Sequence, residues 1–286
     1  MRLRNHRIDT ASFAAAKATG GVIVPTLVVL HDTASRLEPG SAAAYLRDNS
    51  AKVSVHFIVE RDGSLIQQVP TNRRANHAGE SHYHGRDGCN GFSIGIEIVN
   101  PGRMTDAGHG QARTWFKVTY PVAEWDIHAV TTPEHGAGYW MDYTAAQIET
   151  VMSLCQTLFA GIPTLTDIRT HWYVSPGRKV DTNPLFPLEA VRARVLGRDD
   201  PAELAARDAS FGDLGQRMVR IDTNGSGLNM RIWPSFNPNI LTQIPDGALV
   251  PVVRHGVFGG RPWLRVLFDG REGWIVAAYT TEFANA

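Results

Sequence analysis

Residues 26–31, Thr26-Leu-Val-Val-Leu-His31, form a short apolar and β-branched run that ends on a histidine. Such a run predicts a fully buried strand of the kind found in the parallel sheets of α/β proteins. A second run, Ser93-Ile-Gly-Ile-Glu97-Ile-Val99, carries a single carboxylate. Because helical segments alternate with these strands, the sequence predicts an α/β domain with a central mixed β-sheet flanked by helices.

Local signals place the helices and turns of this domain. Three helices with apolar faces are predicted over residues 40–50, 144–159 and 187–196. Ser41 is expected to cap the first, and Thr144 with Gln147 forms a capping-box pattern at the second. The third is expected to end at Gly197. Arg61-Asp-Gly-Ser64 is a hairpin turn signal between two predicted strands.

The polar residues at the ends of these segments indicate a metal site. A lone histidine such as His31 is more often a core residue than a ligand, but His171 and Asp181 supply a second imidazole and a carboxylate. This set matches a catalytic zinc site, in which three protein ligands leave one position open. Glu97 is then placed to act as general base, and Lys179 to face the developing oxyanion. The pattern predicts a zinc hydrolase.

Further polar residues surround this set. Asp32 and His77 are expected to contact substrate. A second interpretation of Asp32 is that it holds one of the metal ligands in place. His56 lies on a predicted strand and is expected to orient a metal ligand or to pack in the core. Arg178 is expected to make a structural ion pair. Five histidines in predicted loops receive no role: His82, His84, His109, His128 and His135.

Five segments in this order also carry a family resemblance. They are Val29–Ala34, Val53–Ser64, Asn76–Ser81, Ser93–Asn100 and Ser175–Asp181. Across roughly residues 20–195 the chain resembles the zinc-dependent N-acetylmuramoyl-L-alanine amidases (amidase type 2), a superfamily that includes phage amidases and animal peptidoglycan recognition proteins.

The resemblance implies a role for each residue of the predicted site. His31, His171 and Asp181 match the zinc ligands of the family, Glu97 matches its catalytic acid/base, and Lys179 matches the residue that stabilises the transition state. Some relatives have cysteine at the third ligand position, and the aspartate form occurs in bacterial enzymes. The bond implied is the amide between N-acetylmuramic acid and L-alanine of peptidoglycan, since zinc chemistry alone would serve any amide.

Two regions depart from a compact amidase pattern. Residues 103–140 are rich in aromatic residues, glycine and proline, and we interpret them as a structured surface insertion, with a substrate-binding lid as the alternative. Residues 198–214 are expected to be a linker or a short bridging helix. After them, Leu228–Ser235, Pro245–Gly247 and Gly270–Tyr279 resemble segments of the bacterial SH3-like domain, which implies a small all-β cell-wall-binding domain over residues 215–286. Its predicted strands cover residues 217–222, 228–232, 248–254, 263–268 and 272–276.

Bulk composition limits the classes of function. Hydrophobic residues make up 43% of the chain and charged residues 20%, which fits a globular protein with a full core. The formal net charge is zero, so no basic field indicates a nucleic acid partner. Cys89 is interpreted as a possible exposed thiol and Cys155 as a core residue; a disulfide between them stays open. No signal peptide or membrane span is predicted.

Three functions remain open at this stage. The first is a wall-lytic amidase, such as an endolysin or an antibacterial effector, which would be made in the cytoplasm and reach the wall after lysis or non-classical export. The second is a cytoplasmic amidase that recycles soluble anhydro-muropeptides. The third is a recognition protein that binds peptidoglycan without cleaving it, which a complete set of metal ligands argues against.

Overall fold

The computed structural model describes residues 1–196, 217–231, 234, 236, 240–258 and 261–283. The chain divides into two compact units, the first ending at Leu204 and the second beginning at Ala205, and each is considered by itself. The predicted linker, residues 198–214, and the predicted helix stop at Gly197 lie outside the described residues.

The first unit is built on a six-stranded mixed sheet, as predicted from the sequence. Its strand order is β15-β4-β9-β5-β6-β3. The neighbours of β4 and β9 run parallel to them, and β5 and β6 form an antiparallel hairpin around the predicted turn. The strands of this unit are β1 (Leu3–Arg4), β2 (Arg7–Ile8), β3 (Ser12–Phe13), β4 (Leu27–Asp32), β5 (Phe57–Val59), β6 (Leu65–Gln67), β7 (His82–Tyr83), β8 (Arg86–Asp87), β9 (Ser93–Ile98), β10 (Thr105–Gly108), β11 (Gln111–Arg113), β12 (Thr119–Pro121), β13 (Ile127–Thr132), β14 (Gly136–Met141) and β15 (Asp167–Thr170).

Four helices accompany the sheet: α1 (Ser41–Arg47), α2 (Ala145–Gly161), α3 (His171–Val174) and α4 (Leu188–Leu196). The capping box predicted for α2 is confirmed, because Thr144 accepts the Gln147 amide and the Gln147 side chain accepts the Thr144 amide. The predicted Ser41 cap is wrong. Gly40 precedes α1 in the left-handed conformation, and its amide donates to the Glu60 carboxylate at 3.1 Å.

The alternation of side chains along β4 and β9 sets which residues enter the core. Val28 and Leu30 pack with Ile94 and Ile96 against the apolar face of α2. Residues with odd numbers on both strands therefore face the other side of the sheet. Because the register aligns His31 with Glu97 on parallel neighbours, these two side chains emerge together on that second face.

The region 103–140 forms regular structure with its own apolar core. Strands β10, β11 and β12 make a three-stranded sheet, and β13 and β14 make a hairpin. Met104, Ala112, Ile127 and Met141 are buried between them. Residues 103–140 are thus a folded element of the first unit.

The second unit is all-β in its described residues and has a separate apolar core. Its strands pair in the order β18-β17-β21-β20-β19-β16-β22, and Val219, Met230, Val266 and Ile275 are buried among them. All five predicted strand segments are found, while β18 and β22 were not predicted. The strands are β16 (Met218–Ile221), β17 (Leu228–Arg231), β18 (Ile240–Ile244), β19 (Leu249–Phe258), β20 (Arg261–Phe268), β21 (Arg271–Val276) and β22 (Thr280–Phe283).

Among the described residues, the helices are all too short or too polar to cross a lipid bilayer.

Candidate metal centre and active site

Three side chains from distant parts of the chain converge beside the second face of the sheet. His31 lies near the end of β4, His171 is the first residue of α3, and Asp181 lies in the loop that follows α3. The Nδ1 atoms of the two histidines are 2.9 Å apart, and Asp181 Oδ2 lies 2.9 Å from His171 Nδ1 and 3.3 Å from His31 Nδ1. All the ligand-type atoms lie within 4.8 Å of one another.

Hydrogen bonds fix which nitrogen of each histidine carries the proton. His171 Nε2 lies 3.1 Å from the Ala78 carbonyl oxygen, which only accepts, so this nitrogen is the donor. Its Nδ1 therefore presents a lone pair to Asp181.

A longer chain of hydrogen bonds fixes His31 in the same way. The Ser93 hydroxyl donates to the Cys89 carbonyl oxygen at 2.6 Å and so accepts from His77 Nε2 at 3.2 Å. His77 Nδ1 is then an acceptor, and His31 Nε2 donates to it at 2.9 Å. The remaining nitrogen, His31 Nδ1, presents its lone pair to His171 and Asp181. Three lone pairs thus point at one another, an arrangement that is repulsive unless a cation lies among them.

The charge states of these groups agree with a cation site. Burial, followed by the neighbouring His171, lowers the pKa of His31 to about 4, so its imidazole is neutral at pH 7. Two imidazoles and one carboxylate are a donor set that suits Zn²⁺.

Glu97 lies on β9, directly across from His31, as the register requires. Its Oε2 atom is buried and has no hydrogen-bond partner among the described residues. Burial first, and then the charges of Asp181 and Asp32, raises the pKa of Glu97 well above its usual value, while Lys179 opposes this. A carboxyl group with an elevated pKa beside a ligand cluster is suited to proton transfer near neutral pH.

Lys179 is half-buried in the loop that carries Asp181, and its amide donates to the Ser175 carbonyl oxygen at 3.1 Å. Its charge lowers the pKa values of both His31 and Glu97, so it acts on the same site. Arg178 differs from the expected ion pair. Its guanidinium donates to the Ala78 and Glu80 carbonyl oxygens, each at 2.7 Å, and so fastens this loop to neutral backbone.

Asp32 was expected to contact substrate, and the structure places it elsewhere. As the residue after His31 on β4, it points to the opposite face, where it is only 5% exposed. Its carboxylate accepts a short hydrogen bond from the Tyr143 hydroxyl and accepts the Asn183 amide at 2.9 Å. Because Asn183 closely follows Asp181, these contacts position the loop of the third ligand.

His77 and His56 are both buried in a row behind His31 rather than open to a cleft. His56 Nε2 donates to the Arg73 carbonyl oxygen at 2.9 Å, and its Nδ1 accepts the Gly95 amide at 3.0 Å. It contacts the His77 ring edge to face at 5.8 Å and reaches His31 only through it. A Cβ at Gly95 would lie 2.6 Å from His77 Cγ, so this position of β9 excludes any side chain.

Sequence reasoning missed the supports of the ligand loop that come from residues 103–143. His135 received no role, yet its Nε2 donates to the Thr182 carbonyl oxygen at 3.0 Å, and its ring packs edge to face on Trp140 and Trp172 at 5.5 Å. No local sequence pattern links His135 to Thr182, because the two residues are far apart in the chain. The one indication in the sequence is that His135 stands beside glycine in an aromatic-rich stretch, where a histidine tends to pack on its neighbours. Cys89 is buried, not exposed, and both cysteines are free thiols.

Comparisons with known proteins identify the family of the first unit. The family model described as N-acetylmuramoyl-L-alanine amidase matches residues 22–184, which is more than half of the chain. The 1,6-anhydro-N-acetylmuramyl-L-alanine amidase AmpD of Salmonella typhimurium is 31% identical over 160 residues, covering 56% of this chain and 66% of the relative, just under two thirds of its length. The N-acetylmuramoyl-L-alanine amidase AmiD of Escherichia coli is 27% identical over 179 residues, covering 60% of this chain and 53% of AmiD.

Solved structures of similar proteins include two amidases. A selenomethionine derivative of AmpD is 25% identical, covers 69% of this chain and 98% of its own, and superposes with a TM-score of 0.48. The complex of E. coli AmiD with anhydro-N-acetylmuramic acid-L-Ala-D-γ-Glu-L-Lys is 25% identical, covers 73% of this chain and 69% of its own, and has a TM-score of 0.46. By the match over residues 22–184, the chain belongs to the N-acetylmuramoyl-L-alanine amidase family of enzymes.

Proposed function

We propose that the protein is a zinc-dependent amidase that hydrolyses the bond between N-acetylmuramic acid and L-alanine in peptidoglycan or its fragments. The observation that carries the proposal is the convergence of His31, His171 and Asp181 within 4.8 Å, with Glu97 paired opposite His31 on the next strand. Family membership supplies the choice of bond, because the same groups would serve other amides.

His31 Nδ1, His171 Nδ1 and an Asp181 oxygen would hold the zinc ion. When bound, zinc supplies a Lewis acid and lowers the pKa of a water molecule towards neutrality. In both histidines the second ring nitrogen donates a hydrogen bond to a protein acceptor, which keeps the liganding nitrogen unprotonated.

Glu97 performs the proton transfers in this proposal. Its free, buried Oε2 accepts the proton of the attacking water, and its raised pKa allows it to hold that proton until the amide nitrogen leaves. Lys179 places a positive charge beside the oxyanion that forms on the attacked carbonyl. The loop contacts of Arg178 keep this charge in position.

The source of the substrate has two candidates. The AmpD relatives are named for 1,6-anhydro-N-acetylmuramyl-L-alanine, which favours soluble anhydro-muropeptides. The second, all-β unit favours intact cell walls, because we assign it as an SH3-like wall-binding domain from its sequence resemblance and its short antiparallel strands. An endolysin or antibacterial role follows only from the second candidate.

The test is product analysis by mass spectrometry after the zinc-loaded protein is incubated with purified sacculi and, separately, with soluble anhydro-muropeptides. Release of free stem peptides from either substrate is the expected result, and the substrate cleaved faster identifies the source. A protein that binds both substrates and cleaves neither is a recognition protein, and the amidase proposal fails.

The matched variant is Glu97→Gln, which keeps the shape of the side chain. We expect its zinc content to equal that of the wild type and its turnover to fall by about 10²–10⁴-fold, the typical contribution of a general base. His31→Ala should lose zinc as well as turnover, and metal analysis by mass spectrometry separates the two effects. Full activity of Glu97→Gln would exclude the assigned proton transfer.

A further inference from the structure

A cavity of about 510 Å³ opens beside Glu97, and part of its wall comes from the insertion. Glu97 and Thr33 line it from the sheet, Tyr45 lines it from α1, and Trp115 and Phe116 line it from residues 103–140. This volume is in the range of sites that bind small organic ligands. Glu97 lines the same cavity, so a ligand in the cavity lies next to the residue proposed for proton transfer.

Trp115 is held in a fixed position although it is exposed. Its indole is 69% exposed, and its Nε1 donates to the Ala34 carbonyl oxygen at 2.7 Å. Phe116 meets the indole edge to face at 5.5 Å, and the Arg36 guanidinium lies over the Phe116 ring at 5.5 Å. A large aromatic ring that stays exposed while its only polar atom is bonded to the protein presents its faces to a ligand.

The chemistry of the cavity suits a sugar more closely than a second apolar ring. A pyranose offers a flat C–H face that packs on an indole, and its rim of hydroxyl and acetamido groups needs polar partners. Thr33, Ser35 and Ser41 line the cavity and provide hydroxyl groups. In a muramoyl amide the attacked carbonyl is joined to the ring through the short lactyl ether. The ring must therefore lie within a few ångströms of Glu97.

We propose that Trp115 is the platform for the muramoyl sugar ring, so that the insertion gives this amidase a saccharide subsite beside its catalytic centre. This inference rests on the proposed function, since it concerns the sugar part of the same substrate. It assigns the 103–140 region a role in substrate affinity and leaves proton transfer to Glu97.

Two substrates with the same scissile amide test the inference: N-acetylmuramoyl-peptide, and a lactoyl-peptide of the same sequence that lacks the sugar ring. Trp115→Ala is expected to raise KM for the muramoyl-peptide about tenfold with kcat unchanged, and to leave both constants for the lactoyl-peptide unchanged. Trp115→Phe keeps an aromatic face and should recover most of the affinity. The control is Trp125→Ala, in the same insertion, where the indole packs on Tyr120 at 5.1 Å.

Binding is measured as well, by calorimetry of the muramoyl-peptide with Glu97→Gln and with the Glu97→Gln/Trp115→Ala double variant. Binding that is about tenfold weaker in the double variant supports the sugar subsite. This holds even if the wild type cleaves neither substrate, because the absence of cleavage contradicts only the amidase proposal. An equal loss of affinity for both substrates, or unchanged KM and Kd for the muramoyl-peptide, would contradict the proposal that Trp115 binds the sugar ring. A loss of affinity in Trp125→Ala as large as the loss in Trp115→Ala would also contradict this proposal.

Discussion

The buried His77 determines which nitrogen of His31 is available to a metal ion. His31 donates to His77, His77 donates to Ser93, and Ser93 donates to the Cys89 carbonyl oxygen, so the lone pair that remains on His31 Nδ1 points into the ligand cluster. Burial and the neighbouring His31 keep the pKa of His77 well below its ordinary value, so this histidine stays neutral and keeps an acceptor nitrogen. Its contribution to the site is therefore orientation of a ligand.

Replacement of His77 should weaken metal binding without removing a ligand. We expect His77→Ala to lower zinc affinity by about 10–100-fold, because His31 Nε2 loses its acceptor. His77→Gln restores an acceptor oxygen and should regain much of that affinity. Competition titration against a chromogenic chelator measures both. The exposed His128→Ala is the control, and unchanged affinity in His77→Ala would contradict the orienting role.

Single residues also show what sequence reasoning reaches. His31 and Glu97 were identifiable because one ends and the other interrupts an apolar run, whereas His171 and Asp181 were selected by their donor type and by the family resemblance. The structure brings the three ligand-type residues together. Asp32 was expected to contact substrate or to support a ligand, and alternation from His31 already indicates the opposite face of the strand. Its partner Tyr143 lies 111 residues away in sequence, so the hydrogen bond itself could not be read from a local pattern.

At the scale of elements, a buried charge cluster joins β15 to α4 and to the β7 hairpin. Asp167 accepts from Arg169 at 2.8 Å, from Arg192 at 3.0 Å and from the Tyr83 hydroxyl at 2.9 Å. Burial alone would raise the pKa of Asp167, but the two guanidinium groups outweigh it and lower the pKa to about 2. The cluster holds the strand that leads directly into His171.

Acid should therefore remove part of the stability of this unit. The folded pKa of Asp167 lies below the unfolded value of 3.8, so its contribution is present above about pH 4 and is lost as the pH falls towards 2. That contribution is about 2 kcal/mol. Asp167→Asn should cost about 3–5 kcal/mol at pH 7, because it leaves the buried Arg169 guanidinium without its carboxylate partner, while Arg192 keeps its ion pair with Glu189.

Urea unfolding at several pH values checks this expectation. The difference in unfolding free energy between wild type and Asp167→Asn should shrink by about 2 kcal/mol between pH 5 and pH 2. Glu149→Gln changes an exposed carboxylate on α2 and should show no such pH dependence. A difference that is constant with pH would show that the ionised carboxylate is not what stabilises the cluster.

Elements with complete local signals were predictable, and those that depend on distant contacts were not. The capping box of α2 lies within four residues and was read correctly. The start of α1 depends on Glu60, twenty residues away, which receives the Gly40 amide and displaces Ser41 from the cap position. Strands β10, β11 and β12 of the insertion were not predicted individually, because each is short and its polar residues follow no strict alternation.

For the whole molecule, the presence of two units leads to a prediction about substrate size. We expect removal of residues 215–286 to leave kcat/KM for soluble anhydro-muropeptides within about twofold and to lower the rate on sacculi about tenfold or more, because a wall-binding domain raises the local substrate concentration only on a polymer. The ratio of the two rates, measured on the same preparation, is the readout. Equal effects on both substrates would remove the targeting role of the second unit.

For the whole chain, the sequence was most informative about the family and least informative about how the strands pair. Motif order alone pointed to the amidase family, and the family match over residues 22–184 bears this out. The all-β character of the second unit followed from its closely spaced turn signals, but β18 and β22 lack a clear apolar alternation and escaped notice. β22 pairs with the distant β16 and β18 pairs with the preceding β17, and this pairing supplies what the sequence of each strand does not.

The hydrogen bond between His135 and Thr182 limits which part of the insertion can be exchanged between related enzymes. The β13–β14 hairpin carries the histidine and Trp140, and both brace the backbone next to a ligand-type aspartate. An exchange of the insertion between relatives with junctions near residues 103 and 141 would carry that brace away with the rest. Junctions inside residues 105–121 would leave the hairpin in place, so only the outer part of the insertion is an interchangeable module.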